Sequence, residues 1–130
     1  EEFKINDIIL VSVLNGKAWT YITVENDEKQ KKAFGKRVKY VMQKTGVPWE
    51  LAKMAVNMNP VNFYNPESRA NKMALNFIED VKEALENYRI FTEDRMSIEE
   101  HLRRSTYAVG YLTNKQIRII KEYWLSQKNA

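Results

Sequence analysis

Between Lys29 and Lys44 the chain carries seven bases, Lys29, Lys31, Lys32, Lys36, Arg37, Lys39 and Lys44, and no acid. Cationic groups at that density do one kind of chemistry well. They neutralise phosphates along a polyanion and release its condensed counterions, whatever the base sequence. On a helix, at about 100° per residue, Lys29, Lys32, Lys36 and Lys39 fall on one face and Phe34, Val38 and Val41 almost opposite, so the segment can dock on a core while presenting charge. Tyr40 and Trp49 flank the run, and Arg103 and Arg104 are the next bases in line. An acid-free basic stripe with aromatics beside it is the footprint of nucleic-acid contact, set against an ordinary solvated lysine face.

Other chemistries find less material. Glu79, Asp80, Glu83 and Glu86 cluster, with Glu99, Glu100 and His101 following. A carboxylate-bridged metal centre in a helical bundle needs Glu-x-x-His pairs, and the residue three before His101 is Ile98. The acids therefore read as a solvated face, with Lys82 pairing to Glu79 or Glu86 along the helix. Without cysteine there is no disulfide framework, thiolate metal site or cysteine nucleophile. Ser68, Ser97 and Ser105 lack the glycine-flanked elbow of a serine hydrolase, and no glycine-rich phosphate loop occurs. The expectation is no catalytic residue, no metal and no cofactor: not an enzyme. Trp49, Trp124, Phe77, Tyr123, Met54, Met58 and Met73 recur at helical spacing and read as packing.

The 130 residues, 44% hydrophobic and 12% aromatic, suit one compact domain. No apolar run approaches the roughly 18 residues of a membrane span, and no leader pattern opens the chain. A net charge of +4 hides a segmented distribution. Residues 1–28 and 67–100 are acidic, 29–44 and 101–130 basic, as suits an anionic polymer on one side and self-association on another.

Ile8 to Leu14 and Ala18 to Val24 are rich in branched and aromatic residues around Asn15-Gly16, a type I′ turn pair, and predict a hairpin. A two-stranded hairpin is marginal alone, so Ile8, Leu10, Trp19 and Tyr21 are expected to pack on a neighbour. A basic helix should begin after Asn26 as N-cap and stop at Gly46. Pro48 opens a helix over Trp49–Met58. Val61 to Asn65 is a loop, and Ala70, Met73, Ala74, Phe77, Ile78, Val81, Leu85 and Tyr88 predict a long helix to about Ile90. Ser97 and Glu100 form a capping box for a helix continuing through Leu102, Ser105 and Val109. Thr113 and Gln116 form another ahead of Ile117, Ile120 and Trp124. The predicted fold is mainly α. A C-terminal four-helix bundle over 48–128 follows an N-terminal extended arm or β-hairpin and the basic helix, with 1–46 and 47–130 as parts of one compact domain. Val38–Met58 also fits a helix-turn-helix around Thr45-Gly46-Val47-Pro48, though its recognition helix offers Lys53 as its one base; the geometry allows a plain helical hairpin as well, and that is the favoured reading.

Pro66-Glu67-Ser68-Arg69-Ala70 opening a long helix that closes with Ala84-Leu85, then Tyr107-Ala108-Val109-Gly110-Tyr111 and Asn114-Lys115-Gln116-Ile117, resemble in order the C-terminal bundle of the major coat proteins of rod-shaped and filamentous archaeal viruses, over residues 66–125. The resemblance implies a four-helix C-terminal bundle, an arm clasping double-stranded DNA, and subunits repeating in a helical nucleoprotein filament, sometimes with a second related coat protein. The family's arms are helical whereas residues 7–24 read as extended, so no DNA-contacting residue is carried over. The expectation is a structural protein that self-assembles on double-stranded DNA without sequence preference, a coat protein located in the virion or otherwise in the cytoplasm. A helix-turn-helix regulator is the alternative, and an adaptor contacting proteins through its acidic helix the third.

Overall fold

The chain is mainly helical. The computed structural model describes residues 2–5, 8–12, 19–105 and 107–129, and the side-chain surroundings of 28–105 and 109–129. Strands β1 (Glu2–Ile5), β2 (Ile8–Ser12) and β3 (Trp19–Thr23) precede helices α1 (Val24–Thr45), α2 (Trp49–Met58), α3 (Glu67–Asn87), α4 (Ile98–Arg103), α5 (Tyr107–Gly110) and α6 (Asn114–Lys128). They divide into two compact units, Glu1–Lys36 and Arg37–Ala130.

In the first unit the strands form an antiparallel sheet in the order β1-β2-β3. Leu10 stands opposite Phe3 on one side and Tyr21 on the other, and Ile8 opposite Ile5 and Thr23. Directly opposed residues share a face and alternate along each strand. Ile8, Leu10, Trp19 and Tyr21 therefore hold register positions on one face, with Phe3 and Ile5. β1 was not anticipated, because its four residues alternate apolar and charged at the very start of the chain. The Asn15-Gly16 turn lies outside the described residues. Helix α1 begins at Val24, directly after β3, so Asn26 stands inside the first turn rather than at the cap; Glu25, Asp27 and Glu28 there suit the positive end of the helix dipole.

In the second unit Val38 and Val41 of α1 are fully buried. The helix stops where expected, since Gly46 takes φ 76°, a left-handed conformation that costs glycine nothing, and its N–H closes on the Met42 carbonyl at 2.8 Å. Pro48 then caps α2 in an extended conformation. Helix α3 buries Ala70, Ala74, Phe77, Ile78, Val81, Ala84 and Leu85 and packs against α2 and α5, while α6 packs against α2 and α4. Leu51, Ile78, Leu102, Ile117 and Ile120 are the largest fully buried side chains of this core.

Two helices depart from their predicted courses. The long helix does not hold its α-register to Ile90: Tyr88–Thr92 form a π-helical turn, closed by Glu93 N–H on the Tyr88 carbonyl at 2.8 Å. His101 stands across from it. Its Nε2 lies 2.8 Å from the Ala84 carbonyl and so carries the proton, and its Nδ1 lies 2.9 Å from the Thr92 hydroxyl. The Ala84 carbonyl also keeps the Tyr88 N–H, so His101 is an added donor at the end of α3 and ties Thr92 of the π turn to it. The helix expected from Ser97 through Val109 breaks after Arg103. The Ser105 hydroxyl bonds back to the His101 carbonyl at 2.8 Å, a habit of serine that bends helices. A Cβ on Gly110 would lie 3.1 Å from the Ser105 carbonyl oxygen, so α5 folds back closely over the end of α4. Ser97 does cap α4 through the Glu100 N–H at 3.2 Å, but the box is half made, because the Glu100 carboxylate turns to Arg104. Thr113 and Gln116 make a complete one.

Candidate nucleic-acid interface

The bases of α1 are built by a helix whose one face is committed to a core. Within the first unit Lys29, Lys31, Lys32 and Lys36 are exposed; within the second, Lys39 and Lys44 are exposed. Lys32, Lys36 and Lys39 have no hydrogen-bond or ion-pair partner among the described residues. The Lys44 ammonium stands 5.8 Å from the Tyr40 ring centroid, a cation–π contact on a half-exposed ring.

Arg37 departs from the expected phosphate set. It is 6% exposed, with Nε donating to the Asn71 side-chain oxygen and Nη2 to the Asn59 backbone carbonyl, both at 2.8 Å. Asn59 is itself buried at the end of α2 and donates to the Ala55 carbonyl at 2.8 Å. Burial pushes the guanidinium below its usual value, and Glu67 pulls it back up. The group is a clamp joining α1, the end of α2 and the start of α3, with no surface to offer a phosphate. The helical wheel carries the signal for this: Arg37 follows Phe34 by three residues and precedes Val41 by four, on the apolar side of α1.

Arg103 and Arg104 are exposed as expected but are not alone. Arg104 pairs with Glu100 at 2.8 Å, one turn back on α4. Arg103 donates through Nη2 to the Asn114 side-chain oxygen at the start of α6. The side chains of Ile8, Leu10, Trp19 and Tyr21 lie outside the described surroundings. As for the helix-turn-helix reading, α2 buries Leu51, Ala52, Met54, Ala55 and Val56. Its polar residues Glu50, Lys53 and Asn57 border a shallow cleft with Lys115, Gln116 and Ile119 of α6. A carboxylate in the first turn opposes entry of that end into a groove lined by phosphates.

Sequence reasoning missed two features. One is the internal frame of the loop over 61–65, a loop the sequence did place, where Asn62 Oδ1 accepts from the Tyr64 and Asn65 N–H groups at 2.8 Å. Asn65 also donates to the Pro60 carbonyl at 2.9 Å. On this hydrogen-bonded frame Phe63 and Tyr64 stand 92% and 83% exposed, with rings edge to face. From Met58 to Pro66 there is no charge, a signal visible in the sequence. The other is the role of His101, whose ring packs against Tyr88 at 5.1 Å between centroids and holds the π turn. Among the described residues no group of three His, Asp or Glu is placed to hold a metal ion, and no helix is long and apolar enough to cross a membrane. No protein-family model, curated protein or solved structure matches the chain.

Proposed function

We propose that this chain is a non-enzymatic structural protein that binds double-stranded DNA through its phosphates and assembles with copies of itself along it, as the coat protein of a virion does. The observation that carries the reading is the exposure of all six lysines of α1 in a stretch with no acid. Lys32, Lys36 and Lys39, with no carboxylate partner among the described residues, can attract a polyanion by counterion release without reading its bases. Self-assembly draws support from the register of the sheet, which gathers Ile8, Leu10, Trp19 and Tyr21 on one face, and from the uncharged loop bearing Phe63 and Tyr64. Contiguous exposed apolar groups mark interaction sites. A four-helix C-terminal bundle, an N-terminal arm on the duplex and, in a filament, a second related coat protein complete the reading; the order of motifs over 66–125 supports them.

The test is filter binding to random-sequence duplex at two salt concentrations. Affinity should fall steeply with salt and show no sequence preference. Replacing Lys32, Lys36 and Lys39 by Gln should reduce the salt slope by up to about 2.7. A preference of a thousandfold or so for one duplex would favour the helix-turn-helix regulator, and negligible binding the protein adaptor.

A further inference from the structure

Along α6, Asn114, Ile117, Arg118 and Lys121 follow one another at spacings of three, one and three residues, which places them on a single helical face. On α4, Glu99 and Arg103 are one turn apart. The two helices pack together, and these six residues line a cleft of about 430 Å³ between them. Ile117, buried, is its single apolar lining. Three cationic side chains face one carboxylate. That carboxylate, Glu99, is taken up by Lys121 at 3.2 Å. Arg103 is held by the neutral side-chain oxygen of Asn114, which orients the guanidinium without cancelling its charge. Arg118 has no hydrogen-bond or ion-pair partner among the described residues.

Two guanidinium groups gathered in a concave site with no carboxylate of their own repel each other, and an anion between them removes that repulsion. Clefts lined by one sign of charge focus the field and raise the local concentration of the opposite ion. Guanidinium forks match the paired oxygens of a phosphate better than they match a point charge. Every lining residue except Ile117 ends in a polar or charged group, and three of those groups are cationic, so an anion is what the cleft can recognise. From this we infer that the α4–α6 cleft is a phosphate-binding site, separate from the lysines of α1, with Arg103 and Arg118 as the gripping groups and Asn114 as the residue that positions Arg103. The phosphate can belong to a nucleic-acid backbone, in which case the inference rests on the function proposed above, or to a free polyphosphate.

The experiment compares the full chain with two variants, Arg103→Gln/Arg118→Gln, which leaves the Lys121–Glu99 pair intact, and Glu99→Gln. Inorganic pyrophosphate is titrated while backbone amide shifts are followed, and random-sequence duplex is bound at two salt concentrations. Pyrophosphate should shift the amides of Asn114, Arg118 and Lys121, the double variant should abolish those shifts, and Glu99→Gln should tighten binding severalfold. If the phosphate is that of DNA, the double variant also lowers the salt slope by up to about 1.8, independently of the α1 lysines. An unchanged duplex slope with pyrophosphate still seated in the cleft assigns the site to free polyphosphate. Pyrophosphate binding in a protein that does not hold duplex overturns the proposed function and leaves the cleft standing. An unchanged slope together with no pyrophosphate shifts at these amides overturns the cleft, whatever the α1 variant does. Arg103 and Arg118 are exposed, so the circular dichroism of the double variant should match the parent.

Discussion

At Arg37 a residue whose type suggests phosphate does structural work instead. Its two hydrogen bonds at 2.8 Å join groups on three segments, and removing it leaves the Asn59 carbonyl and the Asn71 oxygen to find other donors. Hydrogen bonds to charged groups contribute about 1.5–3 kcal/mol each, and buried groups left unpaired cost a similar amount. Arg37→Met should therefore lower unfolding stability by about 2–4 kcal/mol in a urea titration. The salt slope of DNA binding should stay unchanged, the opposite pattern from the lysine variants. A fallen slope would return Arg37 to the phosphate set. A second residue-scale effect concerns Tyr88, whose hydroxyl donates to the Met96 carbonyl at 3.1 Å. Burial raises its pKa, reinforced by Glu93 and Glu99 and opposed by Lys128; burial raises that of Tyr123 as well. A tyrosine whose folded pKa exceeds its unfolded one stabilises fully below the unfolded value. That stability is lost as pH climbs from about 10 through the folded value. Urea midpoints should fall with pH in that alkaline window. Tyr88→Phe should flatten the fall while costing about 1 kcal/mol at neutral pH through the lost hydrogen bond.

At the scale of elements, two glycines in or beside α1 should respond with opposite signs. Gly35 sits in the helix interior with nothing within 4 Å of where a Cβ would be, so Gly35→Ala should stabilise by about 0.5–1 kcal/mol. Gly46 holds φ 76° at the helix end, and Gly46→Ala should destabilise by about 1 kcal/mol or more, because a Cβ is strained there. Thermal melts of the two variants should move in opposite directions. The ends of α2, the start of α3 and the start of α6 were legible because prolines, a capping box and the apolar period act within one turn. The π turn was not, since its contacts to His101 reach nine residues and more along the chain; the break after Arg103 joins a local cause, the Ser105 hydroxyl on the His101 carbonyl, to the close approach of α5 at Gly110.

For the whole molecule, the two basic stretches and the acidic middle make salt the controlling variable of any contact with a polyanion, whereas contacts through apolar groups should be salt-tolerant. The loop bearing Phe63 and Tyr64 provides the separation. Phe63→Ser/Tyr64→Ser removes exposed aromatic surface without touching a charge or the Asn62 hydrogen bonds. Light scattering of protein mixed with duplex should show reduced growth of large assemblies, while filter binding keeps its salt slope. Assemblies of undiminished size would locate self-association elsewhere, the sheet face carrying Ile8, Leu10, Trp19 and Tyr21 being the next place to test.

The chain's own order of residues determined the helical character, the caps at Pro48, Ser97 and Thr113, the stop at Gly46, the segregation of charge and the amphipathic face of α1. Each of these is settled by neighbours within a turn or by composition along a run. The tertiary structure alone decided that Arg37 turns inward, since its partners lie 22 and 34 residues away. It alone brought Arg103 beside Asn114, Arg118 and Lys121. Charge and hydropathy along a chain say which groups can meet a phosphate; only the packing of helices distant in sequence says which are already occupied and which are gathered into one cleft.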